Sequence, residues 1–283
     1  MILTLDIEHD WGLETTKSFM FLSGIFNWLE DTKSSATLFV TGNVAEPLNE
    51  IGLPKRVEIA SHSMSHPDLT KISENDIINE IQESKATLES ILKTKVKGFR
   101  APYFMAPPNL WEILFQSGYK YSSSLVAGYF PKRYHNKIKP FPFTRNGITE
   151  VPLQSFRLLH VPFGLSFMRI MWPFSKLITP KKPYIFYYHP TELLAEPPGP
   201  AEGKFIRILY GINRGQMARK ILYQFLQKQG QAVSVSKYLS GLETQLTEIP
   251  INLPNKVAAS KGPIKEKLKT EEKSGNSGQG VSK

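Results

Sequence analysis

Two histidines four residues apart in this 283-residue chain, in His62-Ser63-Met64-Ser65-His66, are of a type and spacing that could do chemistry together. On a helical turn, positions i and i+4 share a face, so both imidazoles could reach one cation. Ser63 stands where a His-Glu-x-x-His metalloprotease carries its general-base Glu, which argues against that enzyme class. A second cluster, Asp6-Ile7-Glu8-His9-Asp10-Trp11, packs four titratable groups into five positions directly after an apolar run. Read alone, it is a polar strand-to-helix loop with a capping carboxylate. Gly98-Phe99-Arg100-Ala101-Pro102-Tyr103 puts an arginine on a short strand, with Pro102 fixing the turn that follows. Ile185-Phe186-Tyr187-Tyr188-His189 ends an apolar strand in an imidazole. Taken singly, that arginine reads as half of a structural ion pair and that histidine as a satisfied core residue. The chain has no cysteine, which excludes disulfides, a thiol nucleophile and Cys-ligated zinc. Any transition metal must therefore sit on His and carboxylate.

These groups need elements to deliver them. Apolar runs predict strands over residues 2–6, 36–40, 57–60, 98–100, 119–123, 184–188 and 232–234. Helical spacing predicts helices over 17–30, from Ser73 to Leu92, over 108–116 and over 213–229. Strands alternating with helices imply parallel βα units and an α/β fold with enough units for a barrel. In barrels of this kind the active residues come from the C-terminal ends of different strands, and Asp6, His62, Arg100 and His189 all fit that placement.

Composition bounds the rest. With 41% apolar and 21% charged residues the chain is globular. The net charge is +10, and seven Lys against three Glu from Ile251 onward leave +6 to the body. The basic residues are scattered, with no helix-turn-helix, ribonucleoprotein motif or Arg-rich run, so no nucleic-acid partner is expected. The N-terminal apolar run is too short for a secretory leader, and residues 158–174 are interrupted by His160, Pro162, Ser166 and Arg169. A soluble, cytoplasmic protein is expected. Residues 246–283 read as a disordered Lys/Ser/Gly-rich tail behind a domain at 1–245.

Taken together and in this order, the four motifs resemble the polysaccharide deacetylase family, the NodB-like carbohydrate esterases, over residues 1–245. Ala36-Thr37-Leu38-Phe39-Val40-Thr41-Gly42-Asn43-Val44-Ala45-Glu46 is similar to the family's second strand and loop. Glu58-Ile59-Ala60-Ser61-His62-Ser63-Met64-Ser65-His66 resembles its metal motif. The first motif is similar to the branch reading Asp-x-Asp/Glu with a Trp shortly after. This resemblance implies a distorted (β/α) barrel, with Asp6 as catalytic base and His62 and His66 as metal ligands. Glu8 is the expected third ligand, with Asp10 or His9 as alternatives. Arg100 would orient the base, the Tyr103 backbone N–H would donate to an oxyanion, and His189 would be the general acid. The expected cofactor is a divalent metal, Zn2+ first, with Co2+, Ni2+ or Mn2+ as alternatives.

The implied reaction is metal-dependent hydrolysis of a non-peptide C–N bond, deacetylating an N-acetylated sugar or sugar conjugate. A deformylase or small-amide hydrolase on the same scaffold, or a non-catalytic glycan- or membrane-binding relative, are the alternatives. In the cytoplasm the N-acylated carbohydrate would be nucleotide- or lipid-linked. One position departs from the pattern: Ser122 stands where the family often has an Asp that helps tune the catalytic histidine. Phe156, Arg157, Phe163, Phe167, Arg169, Trp172, Phe174 and Lys176 mix aromatic and basic character, so peripheral membrane contact is a reading of that segment. A helix covering the barrel is the preferred one. His135 and His160 read as structural or surface residues, and no protein partner is expected.

Overall fold

The computed structural model describes residues 1–127, 138–156, 161–177, 182–199 and 204–242. His135, Arg157, His160 and the tail expected at 246–283 lie outside the described residues. Strands β1 (Ile2–Ile7), β2 (Ala36–Val40), β3 (Val57–Ser61), β4 (Gly98–Phe99) and β5 (Tyr121–Ser122) are neighbours in sequence order and all parallel. The chain then forms five short strands, β6 (Val126–Ala127), β7 (Phe143–Arg145), β8 (Ile148–Glu150), β9 (Leu153–Phe156) and β10 (Val161–Pro162), before β11 (Ile185–Tyr188). β11 returns to pair parallel with β1, giving the order β11-β1-β2-β3-β4-β5-β8-β7, while β10-β9-β6 make a second, small sheet.

All six residues of β1 are buried and all five of β2. Continuous apolar runs of this kind suit parallel strands covered on both faces. Helices α1 (Leu22–Asp31), α2 (Ala45–Ile51), α3 (Glu74–Leu92) and α4 (Leu110–Gln116) follow the first strands in turn. After the small strands come α5 (Leu165–Ile170), α6 (Lys204–Gly211), α7 (Gln216–Gln229) and α8 (Val235–Ser240). α3 shows how the sequence sets an element: Ser73 caps it by accepting the Asp76 N–H at 3.2 Å, and Ile77, Ile81, Ser84 and Leu88 supply its buried face. α8 is tied to the N-terminal end of the strands by Glu58, which accepts from Thr37 Oγ1 and Tyr121 Oη at 2.8 Å and from the Ser236 N–H at 3.0 Å.

The sheet curls into an open, distorted (β/α) barrel. Its seam lies between β11 and the small sheet, where Gly164 makes one parallel bridge to Tyr187 and the Ile185 N–H donates to Gln154 Oε1 at 2.9 Å. Inside, Phe39, Tyr121, Leu153 and Tyr187 are parts of one buried cluster, with Phe104 packed against it.

Several elements differ from the sequence reading. The helix expected over 17–30 is a 3-10 turn, Lys17–Phe21, followed by α1. The Asp10 carboxylate takes the N–H groups of Lys17 and Ser18 and fixes that tighter start, leaving Met20 70% exposed. The strand expected at 232–234 is reduced to a single bridge between Ile2 and Val233, because Ser234 is already the cap of α8. The helix expected over 213–229 begins only at Gln216, after left-handed backbone at Asn213 (φ 53°) and Gly215 (φ 62°). α2 was not anticipated; its Pro47 sits in the first turn, where a missing N–H costs nothing. Among the described residues no helix is long and apolar enough to cross a membrane.

The seam gives a direct test. A Cβ at Gly164 would lie 2.5 Å from the Tyr187 carbonyl oxygen and 2.6 Å from its ring. Because backbone must move to admit it, Gly164→Ala is expected to lower stability by about 1–3 kcal/mol in urea denaturation.

Candidate active site

Asp6 is the fifth residue of β1, His62 follows β3, Arg100 follows β4 and His189 follows β11. Because β11, β1, β2, β3 and β4 are adjacent and parallel, their C-terminal ends deliver all four residues to one end of the barrel. Arg100 crosses the interior, fully buried. Its Nη1 donates to Asp6 Oδ1 at 2.5 Å and to Thr4 Oγ1 at 3.1 Å, its Nη2 to Ser123 Oγ at 3.1 Å and its Nε to the Ser123 carbonyl at 3.2 Å. The guanidinium also lies 3.9 Å from the centre of the Phe39 ring.

Glu8, His62 and His66 bring one potential ligand atom each within 4.8 Å of one another. The His62–His66 pair is not helical, as the spacing alone had suggested. Ser63 (φ 68°) and His66 (φ 65°) are left-handed, and the turn is fastened from outside by Glu80 of α3. That carboxylate accepts the N–H groups of Met64 and Ser65 at 2.8 and 2.9 Å and the Ser65 hydroxyl at 2.5 Å. Gly42 completes the fit, since a Cβ there would meet Met64 Sδ at 2.2 Å. Of the three candidates in the first motif, Glu8 joins the histidines. Asp10 is turned away, accepting from Thr15 Oγ1 and the Lys17 N–H at 2.7 Å, and His9 Nδ1 faces Asn43 Nδ2 at 3.3 Å.

The donor set fits a divalent cation. His62 Nδ1 bonds the Arg100 carbonyl at 2.8 Å, which fixes the ring and leaves Nε2 as the coordinating atom. Burial pushes His62 down to about 4, so the imidazole is in its neutral, ligating form. Burial alone would raise Glu8, but the neighbouring His66, with His189, brings it down to about 2. Glu8 Oε2 is buried without a hydrogen-bond donor, 2.7 Å from His66 Nε2. Two lone-pair atoms that close need a proton or a metal ion to hold them.

Tyr103 has left-handed backbone (φ 56°), as does Phe104 (φ 57°). Its half-exposed ring meets the edge of His66 at 4.6 Å between centroids. His189 faces the same centre: its Nε2 lies 3.7 Å from Asp6 Oδ2 and 3.8 Å from Glu8 Oε1. Burial alone would lower His189, but Glu192, Glu8 and Asp6 outweigh it and raise the imidazole to about 9. The loops after β1 and β11 are laced together, with the Trp11 N–H on Thr191 Oγ1 at 3.2 Å and the Gly199 N–H on the Trp11 carbonyl at 2.9 Å.

Three acids in this region went unremarked in the sequence. Glu80 fastens the histidine turn. Glu150 of β8, fully buried, accepts the N–H groups of Ser124 and Leu125 at 2.8 Å and Trp111 Nε1 at 3.1 Å. Burial raises its pKa. Ser122 belongs to this second network, its hydroxyl on Ser124 Oγ at 2.9 Å, and Ser124 Oγ in turn accepts the Ala101 N–H. The acid on the Nδ1 side of His189 is Glu192, whose Oε1 is 3.7 Å from Nδ1. A signal for it existed: His189-Pro190-Thr191-Glu192 places an acid three residues after the histidine, with proline between, as at a capped helical turn. In the aromatic-basic segment, Phe163, Phe167, Met168 and Arg169 are buried, whereas Phe174 is 67% exposed.

The polysaccharide deacetylase family model matches residues 20–122, from the turn before α1 to the end of β5. Over that segment the chain is similar to the polysaccharide deacetylase family. No curated protein sequence matches it. Among solved structures, a provisionally named polysaccharide deacetylase from Mycobacterium smegmatis is 17% identical, with 89% of this chain and 93% of that one covered at a TM-score of 0.59. That likeness shows a common fold. A family 4 carbohydrate esterase pseudoenzyme from Bacillus anthracis is 15% identical over 84% of this chain and 65% of that one, TM-score 0.48. The peptidoglycan deacetylase PdaC from Bacillus subtilis is 15% identical over 86% and 91%, TM-score 0.47. The family-matched segment carries Arg100 and the histidine pair, while Asp6, Glu8 and His189 come from outside it.

Two outcomes test the geometry. Arg100→Met strands the buried Asp6 carboxylate and is expected to lower stability by about 3–5 kcal/mol, most of it restored in the Asp6→Asn/Arg100→Met double variant, as read by urea denaturation. Because folding raises His189, its stabilising contribution is complete below 6.5 and is lost as pH climbs through about 9. The metal-free protein should therefore lose stability across that window, and His189→Gln should flatten the loss.

Proposed function

We propose that the protein is a metal-dependent hydrolase that removes the acetyl group from an N-acetylated sugar or sugar conjugate. The observation that carries this reading is the placement of His189 Nε2 within 4 Å of two carboxylates, Asp6 and Glu8, the second of which groups with His62 and His66. A divalent ion held by Glu8, His62 and His66, of which Zn2+ is the proposed choice, would polarise the acyl carbonyl and lower the pKa of a water.

The chain's own residues supply the remaining steps. Asp6, aimed by the Arg100 guanidinium, accepts the proton of the attacking water as general base. The Tyr103 N–H, on its left-handed backbone at the rim, donates to the oxygen on which charge develops. His189, protonated at neutral pH, gives a proton to the nitrogen as the C–N bond breaks. An amide nitrogen does not leave as an anion, and an acid in this position is worth about 10²–10⁴-fold. The net charge of +10 supports a sugar carried on an anionic group, such as a nucleotide or lipid phosphate.

Acetate release from N-acetylglucosamine derivatives, measured beside elemental analysis, tests the reading. His62→Ala and His66→Ala are expected to lose both bound metal and acetate release. Asp6→Asn is expected to keep the metal and to lose about 10²–10⁴-fold in turnover. Full turnover in both histidine variants would refute the assignment.

A further inference from the structure

We infer that Glu192 is a positioning residue for the general acid, holding the His189 ring by its Nδ1 side so that Nε2 faces the reacting centre. The inference rests on the proposed hydrolase function and names the group that aims its acid.

Glu192 is 1% exposed, and both its oxygens are assigned. Oε1 accepts the His189 backbone N–H at 3.1 Å and lies 3.7 Å from His189 Nδ1. Oε2 accepts from Ser166 Oγ at 2.8 Å and from Arg169 Nε at 2.9 Å. One oxygen of the carboxylate therefore holds the main chain of His189 by a hydrogen bond and faces its ring at ion-pair distance, while the other is fixed to α5. Arg169 is itself immobilised. It is fully buried, its Nη1 donates to the carbonyls of Tyr210 and Ile212 at 3.3 and 2.5 Å, and its own carbonyl accepts Asn213 Nδ2 at 2.8 Å.

A carboxylate at Nδ1 selects the tautomer that carries hydrogen there, so the proton exchanged with substrate is the one on Nε2. Nε2 is the nitrogen that faces Asp6 and Glu8. In the reaction the leaving nitrogen takes the Nε2 proton as its bond to carbon breaks, and Glu192 transfers none. A simpler role, an ion pair with Arg169 that only holds α5 to the loop after β11, predicts that loss of Glu192 weakens the fold without singling out the acid step.

The two roles separate on substrates that differ in their need for an acid. The metal-loaded wild type and Glu192→Gln would be compared on an N-acetylglucosamine disaccharide and on 4-nitrophenyl acetate, whose phenolate leaves without protonation. The expected result is a fall of about 10–10²-fold in kcat for the amide with a change under about three-fold for the ester, and the same selectivity, more pronounced, in His189→Gln. In metal-free protein held above pH 9, where the ring is neutral, the His189 nitrogen resonances should show hydrogen on Nδ1 in the wild type and lose that signature in Glu192→Gln. If Glu192→Gln does not fold because Arg169 is left unpaired, Glu192→Gln/Arg169→Gln removes both buried charges and is read the same way. Equal losses on amide and ester, or unchanged ring resonances, overturn the inference. A wild type that cleaves the ester but no N-acyl sugar overturns the proposed function instead, and the resonances still report whether Glu192 sets the ring.

Discussion

The buried pair between Arg100 and Asp6 is the constraint on which the site depends. Taking two such charges out of water costs several kcal/mol each, and their attraction recovers this only when the remaining donors are also satisfied. Here Nε, Nη1 and Nη2 of Arg100 all have acceptors, on β1 and on the turn after β5, and the Phe39 ring covers the guanidinium. The main chain of the same residue accepts from His62. One side chain and one carbonyl thereby bind together the proposed base, a proposed metal ligand and three strands of the barrel. The second network, around Glu150, supports this arrangement from behind by shaping the turn that offers Ser123 and Ser124.

Four of the eight non-glycine residues with positive φ among the described residues stand where the chemistry is. Ser63, His66, Tyr103 and Phe104 all have positive φ without being glycine, a conformation that costs roughly 1–2 kcal/mol per residue. Such strain persists only where the surroundings over-determine it. Glu80 does so for the histidine turn, with three hydrogen bonds from Met64 and Ser65. Regular helix at 62–66 would have put both imidazoles on one face, but it would have replaced those bonds with backbone ones and lost the fastening to α3.

What could be read from the sequence follows from this division. Strands that are buried on both faces announce themselves as apolar runs, so β1, β2, β3 and β11 and the polar residues at their ends were legible, and with them the barrel and the meeting of Asp6, His62, Arg100 and His189. The His62–His66 pair was also legible, although the helical geometry inferred for it was not the one adopted. Strands of two to four residues between 126 and 162 carry too few positions to show a period. Glu80, Glu150 and Glu192 were invisible for another reason: an acid on a neighbouring element looks like solvated surface until the fold decides which N–H or imidazole it meets. Ser122 stands where the resemblance leads one to expect an acid for His189. In the fold Ser122 belongs to the Glu150 network, and the acid on the Nδ1 side of His189 lies three residues downstream of that histidine.

Gly12 and Gly199 meet where the loops after β1 and β11 are laced together, and a Cβ at Gly199 would fall 2.1 Å from the Gly12 carbonyl oxygen. Neither loop can therefore be lengthened, bulked or exchanged on its own at that crossing. A change of side chain on one must be matched by a re-routing of the other. The two walls that carry Glu8 and His189 are in this sense a single module, and redesign for a different substrate has more room elsewhere around the mouth of the barrel than here.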